Sequence, residues 1–268
     1  MEYSFEKSKL YNYLGDYLVG LLIEHKAYIA GGTITSLFCN REINDIDVYF
    51  RSKEDCTSFI GEIYNNSCLM THTNKATLFI RGEGNTPVKL QLIHFGFFEN
   101  VAKIFEKFDY TVCMGAFDFV TEEFVLHSDF IKDNCSRILK FNSNTAYPII
   151  SFLRIQKYEE KGYKISKSEL IRVLLTCLTL NLNSYEELGE QMGGMYGINY
   201  DKIFKGCTDF SLESAIEKIK NLHVNDDYFD KRIEYTAISL EQLVKNIDKD
   251  ATINSTNTLF WSPNELIF

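Results

Sequence analysis

Apolar and polar positions along this chain follow two periods in turn. Residues 5–24 place Leu10, Tyr13, Leu14, Leu18, Leu21 and Leu22 close to helical spacing, which predicts an amphipathic helix laid against a sheet. From residue 26 the apolar runs shorten, become β-prone and are broken by turn formers. They predict strands over 26–30, 46–51, 77–81, 88–94, 113–118 and 123–126, with helices over 33–39, 52–65 and 100–107 between them. Ser52 is placed to cap its helix, with Asp55 in the first turn. Strands 77–81 and 88–94 read as an antiparallel pair across the turn-rich loop 82–87. After Pro148 the period becomes helical, over 149–161, 168–180, 184–191, 199–204, 211–222 and 226–247. The pattern predicts an α+β fold: a small mixed sheet with helices over 1–147, an α-helical domain over 148–249 and a tail over 250–268.

The candidate chemistry lies between the first two strands. Gly31 and Gly32 end the first, and Asp45-Ile46-Asp47 opens the second. Side chains alternate along a strand, so Asp45 and Asp47 share a face and could hold a divalent cation, Mg²⁺ or Mn²⁺. A turn without side chains lets backbone N–H groups approach phosphate oxygens. The helix that begins at Thr33 would aim its N-terminal N–H groups the same way. Together these features point to metal-assisted chemistry on a nucleoside triphosphate.

This segment resembles the nucleotidyltransferase superfamily, and within it the head domain of the CCA-adding and poly(A) polymerase group. The resemblance rests on Gly31-Gly32, the basic residue Arg41, Asp45-x-Asp47, the Asp109-Tyr110-Thr111 segment, Arg137-Ile138-Leu139, and Pro148 with the helix ending Lys161-Gly162-Tyr163-Lys164-Ile165. It spans residues 25–165 and implies a polymerase-β-like head. It also implies catalytic, metal-binding roles for Asp45 and Asp47, and a nucleotide site built from Gly31, Gly32, Thr33, Arg41 and Asp109. The basic helix after Pro148 would lie near the triphosphate, which makes Arg154 and Lys157 the expected phosphate contacts. The chain departs from the family in two places. Ile34-Thr35-Ser36 stands where the family has Val-Arg-Asp, and strand 88–93 offers Gln91 at the position of the third carboxylate. An amide can accept a hydrogen bond but cannot serve as a general base. Two readings follow: transfer of a nucleoside monophosphate to an RNA, protein or small-molecule hydroxyl with release of pyrophosphate, or a degenerate relative acting as a nucleotide-binding, structural or protein-interaction module.

Composition narrows the partners. The net charge of −9 disfavours a long nucleic acid as ligand, because such binders neutralise several phosphates with a basic surface. Seven cysteines without framework or zinc-finger spacing read as reduced thiols. No secretory pattern opens the chain and no apolar run reaches bilayer length, so a cytoplasmic protein is expected, in a bacterium or in the host of a virus. His94 ends the Gln91 strand and reads as structural, and Gly193-Gly194 as an interhelical turn. The tail carries Phe260, Trp261, Ile267 and Phe268, and either folds back or docks on a partner or a second copy.

Overall fold

The computed structural model describes residues 3–72, 75–82, 87–192, 203–204, 206–220, 236–248 and 260–261. Helix α1 (Ser4–Glu24) carries a non-helical Gly15 inside it and leads into β1 (Tyr28–Ala30) and α2 (Gly32–Phe38). Strand β2 (Ile46–Tyr49) follows, then α3 (Lys53–Ile63), capped as expected by the Ser52 hydroxyl accepting from the Asp55 N–H. Next come β3 (Cys68–His72), β4 (Ala76–Arg81), β5 (Val88–Ile93), α4 (Val101–Phe105), β6 (Gly115–Asp118) and β7 (Glu123–Leu126). These strands form one mixed sheet in the order β3-β4-β5-β2-β1-β6-β7, and together with the helices they make an α+β fold.

Within that sheet, β2 and β5 run parallel, and the register sets Asp47 beside Gln91. Alternation does the rest. Ile29, Ile46, Val48, Leu90 and Leu92 point into the main core with α1 and α3, and this directs Tyr28, Asp47, Tyr49 and Ile93 to the opposite face. Gly115 lets α2 and Phe130 pack closely on that sheet, since a Cβ there would lie 2.8 Å from both Ile34 Cγ2 and Phe130 Cε2.

Helix α5 (Phe130–Ser136) ends at Arg137 in the left-handed region, φ 57°. Strand β8 (Ile138–Leu139) pairs in parallel with β9 (Lys164–Ile165), and between them runs α6 (Pro148–Glu160). Helix α6 shares a core with the head through Tyr110, Val112, Leu139, Ile155, Tyr158 and Tyr163, and α7 (Lys167–Leu178) adds Val173 to it. Helix α8 (Tyr185–Met192) and helix Leu212–Lys220 form a further small core with Ile203 and Phe204.

Several boundaries differ from the sequence expectation. Strand β6 begins at Gly115, because Thr111–Cys113 forms a 3₁₀ turn. Within the segment read as helix over 226–247, Thr236–Ala237 is a strand and the helix starts at Leu240. Ile238 and Leu243 are buried in the main core, and Tyr64 donates to the Ile238 carbonyl at 2.7 Å. The end of the 148–249 segment therefore packs against the head. Phe260–Trp261 pairs with Thr236–Ala237, so this part of the tail folds back. Ile267, Phe268, Gly193-Gly194, residues 221–235 and loop residues 83–86 lie outside the described residues.

The structural reading of His94 matches its surroundings. Thr77 Oγ1 lies 2.8 Å from His72 Nδ1 and 3.0 Å from His94 Nε2, and the two imidazoles stack. Burial pushes His72 down to about 4; burial first and then His72 push His94 down to about 3. A histidine lowered in the folded state contributes stability that is present above the unfolded value near 6.5 and is lost as pH falls toward the folded value. We expect the thermal midpoint to fall as pH drops from about 6.5 to about 4, and His72→Gln/His94→Gln to flatten that slope.

Candidate functional site

A cleft of about 410 Å³ opens between the Asp47 face of the sheet and α6. Its floor begins at Gly31, the residue before α2, at φ 80° and ψ −134°. The Gly31 N–H donates to Gly115 O at 3.0 Å, and the Thr35 hydroxyl reaches both Gly31 O and Val112 O, at 3.1 and 2.7 Å. The turn is held from both sides. A Cβ on Gly31 would sit 3.5 Å from Asp47 Oδ2, whereas one on Gly32 would meet nothing within 4 Å. Gly31→Ala is therefore expected to cost about 1–2 kcal/mol in denaturant unfolding through its positive φ, and Gly32→Ala no more than about 0.5 kcal/mol.

Asp45 is exposed just before β2, and its carbonyl accepts from Thr33 Oγ1 at 3.0 Å. Thr33 is buried and braces the carboxylate strand instead of lining the cleft. Asp47 also lines the cleft wall and is less exposed than Asp45. Burial first and the Asp45 charge second push its carboxyl up to about 7, against the pull of Arg154 and Lys157. Gln91 shares the face and the register of Asp47 but does not line the cleft, whereas Ile93, two residues on, does. Asp45 and Asp47 are thus the carboxylates that could hold a cation here. Elsewhere, Glu24, His25 and Glu62 place ligand atoms within 4.8 Å of one another, a grouping hidden in sequence by the distance between His25 and Glu62.

The opposite wall is basic. Arg154 Nη1 donates to Asp109 Oδ2 at 2.7 Å and Arg154 Nη2 to Tyr158 Oη at 3.0 Å; Tyr158 Oη in turn lies 2.6 Å from Cys113 Sγ. Asp109 is buried, and that burial raises its carboxyl even with Arg154 beside it. Asp109 thus orients Arg154. Lys157 follows one turn later, its ammonium lowered by burial and then by Arg154 and Lys161. Arg41 enters from the end of α2, donating to Lys161 O at 3.0 Å with its guanidinium 5.3 Å from the Tyr163 ring centre. Lys75, over Tyr147, and Lys107 also line the cleft, with Tyr49, Phe95 and Phe108. Six cations against four acids line the cleft of a chain whose net charge is −9. That contrast favours an anionic ligand.

The spacing Arg154, Lys157, Lys161 put all three on one helix face, and all three line the cleft. Sequence reasoning missed Lys75, Lys107, Tyr147 and the Asp109–Arg154 pair as such. No local pattern marks residues that meet only through tertiary packing.

Residues 4–137 match the family described as Gabija anti-defense 2 family protein. A relative named Gabija anti-defense 2, from Bacillus phage SPbetaL7, is 54% identical over 252 residues, covering 93% of this chain. The chain spans 62% of that relative's length. Among solved structures, the CCA-adding enzyme in apo form II has a TM-score of 0.48 at 11% identity, over 74% of this chain and 54% of its own. A tRNA nucleotidyltransferase complexed with a primer tRNA and an incoming ATP analog has 0.46 at 12%, over 78% and 64%. The Bacillus stearothermophilus CCA-adding enzyme in complex with CTP has 0.43 at 14%, over 75% and 51%.

Proposed function

This chain belongs to the Gabija anti-defense 2 family, and from that premise we propose that it counters a bacterial defence from within the host cytoplasm through a nucleotide-handling head. No helix among the described residues is long and apolar enough to cross a membrane. The head binds a nucleoside triphosphate with Mg²⁺ or Mn²⁺ and transfers its monophosphate to an acceptor hydroxyl, with pyrophosphate as the leaving group. The observation that carries this reading is the arrangement of Asp45 and Asp47 in one cleft with Arg154 and Lys157, close enough that both cations act on the Asp47 carboxyl.

The donor set fits one hard cation. Asp45 and Asp47 both line the cleft, and burial first and the Asp45 charge second push the Asp47 carboxyl up to about 7, which a bound cation would offset. Asp45 and Asp47 would hold the ion, which when bound supplies charge neutralisation at the phosphates. The chain's own residues do the rest. Gly31 and Gly32 leave room for phosphate oxygens, Arg154 and Lys157 bind them, and Asp109 holds the Arg154 fork in place.

One observation favours the second reading. Gln91 lies in register with Asp47, so the strand positioned to add a third carboxylate adds an amide. On that reading the cleft binds nucleotide without turnover, as a structural or protein-interaction module directed at a defence component. Incubation with labelled nucleoside triphosphates, Mg²⁺ or Mn²⁺ and mixed acceptors separates the two. Pyrophosphate release that disappears in Asp45→Ala/Asp47→Ala establishes transfer. Release that survives the double substitution removes the metal-site assignment, and binding without release selects the module.

A further inference from the structure

The cationic wall of the cleft continues beyond the carboxylates. Arg154, Lys157 and Lys161 extend along α6 for roughly 10 Å at the helical rise. At the far end Arg41 Nη2 and Arg137 Nη1 both donate to the Lys161 carbonyl, each at 3.0 Å, with guanidinium carbons 5.3 and 5.7 Å from the Tyr163 ring centre. Arg137 is the αL residue that ends α5, and it lies outside the cleft lining.

Three positive charges thus gather on one helix end, and none of them pairs with a carboxylate among the described residues. The helix C-terminus and the Tyr163 ring offset only part of their repulsion. A chain with 37 acidic residues had acids to spare for this place. Each guanidinium spends one of its five N–H donors on Lys161 O, which leaves planar forks of the kind that recognise phosphate oxygens.

We propose that Arg41, Arg137 and Lys161 form a second anion subsite at the mouth of the cleft, which holds a phosphate monoester carried by the acceptor. This rests on the nucleotide reading for the word acceptor; the anion subsite itself does not. It selects a phosphorylated small acceptor, a free nucleotide or a short strand end, over a protein side chain.

Calorimetry on the full chain tests it, with a 5′-nucleoside monophosphate and its unphosphorylated nucleoside as probes, with and without a non-hydrolysable triphosphate analogue and Mg²⁺. The expected result is a preference of about 10-fold for the monophosphate, which Arg137→Gln and Lys161→Gln each reduce to under twofold, while in Arg137→Gln, outside the cleft lining, triphosphate affinity stays within twofold. Lys161→Gln retains the carbonyl that anchors both arginines, so its fold is kept if Arg137→Gln melts early. A preference that survives both substitutions overturns the subsite, and so does a parallel loss of triphosphate affinity in Arg137→Gln. If wild type binds no triphosphate, the nucleotide reading fails alone, while a monophosphate preference sensitive to Arg137 still upholds the subsite. A 5′-phosphorylated dinucleotide in place of the monophosphate distinguishes a strand end from a free nucleotide.

Discussion

Arg154→Ala is expected to destabilise the protein by about 3–5 kcal/mol, because it strips the partner from a buried carboxylate. The Asp109 side chain is 3% exposed and that of Arg154 21%, and their contact at 2.7 Å ties α6 to the segment before β6. Much of the loss comes from the charge left on Asp109, so Arg154→Ala/Asp109→Asn recovers most of it. Urea unfolding of the single and double variants measures the coupling. A double variant no more stable than Arg154→Ala would show that the loss comes from packing against Tyr158. The pair also serves the site, since any phosphate contact made by Arg154 depends on the orientation that Asp109 sets.

Asp47→Asn is expected to act in opposite directions on stability and on activity. The Asp47 carboxyl is pushed up to about 7 by burial and then by Asp45. Between about pH 4 and about pH 7 the folded state therefore keeps a proton that the unfolded chain has lost. The stability this carboxyl contributes without cation is full below that window and falls as pH rises through it. Asn removes the term. Its thermal midpoint at pH 8 without metal should exceed wild type by about 2–6 °C, while pyrophosphate release falls by about 10²-fold or more. Differential scanning calorimetry from pH 4 to 8 checks the first part and the release assay the second. A midpoint unchanged at pH 8 would show that burial and Asp45 do not raise the Asp47 carboxyl.

The head was legible in the sequence where local rules and burial agree. Ile46 and Val48 alternate with Asp45 and Asp47, so the strand and its two faces could be read directly, and Ser52 capped its helix as its chemistry predicts. Strand β3 was not legible: CLMTH has no alternation, and its pairing with β4 shifts between Leu69 and Thr71. Helix α5 is short and polar, held by Asn134 donating to Val112 O and by Thr111 donating to Asp133, contacts that no local window contains. The same holds for Ile238 and for Leu243 in the helix that starts at Leu240, which read as part of a helical domain but pack in the main core.

Within the site, spacing revealed which residues share a face but not what each one does. Arg154, Lys157 and Lys161 were visible as a helical stripe, and their convergence on Asp45 and Asp47 required the sheet. Thr33 shows the limit clearly. The motif placed it at the phosphates, whereas a threonine at the start of a buried short helix can satisfy its hydroxyl on a nearby carbonyl, and Asp45 O lies 3.0 Å away. Gln91 is the reverse case: alternation along strand 88–93 put it on the polar face, and the observed register sets it beside Asp47.

On the proposed function, Asp45 and Asp47, facing a basic wall, make a metal–nucleotide site. Calorimetric titration of a nucleoside triphosphate into the wild-type chain and into Asp45→Ala/Asp47→Ala, each with and without Mg²⁺ at pH 8, tests it most directly. The expected result is binding by wild type that Mg²⁺ tightens by about 10-fold or more, and a double variant whose residual affinity no longer responds to Mg²⁺. Absence of binding at millimolar triphosphate, or a Mg²⁺ response preserved in the double variant, would contradict it.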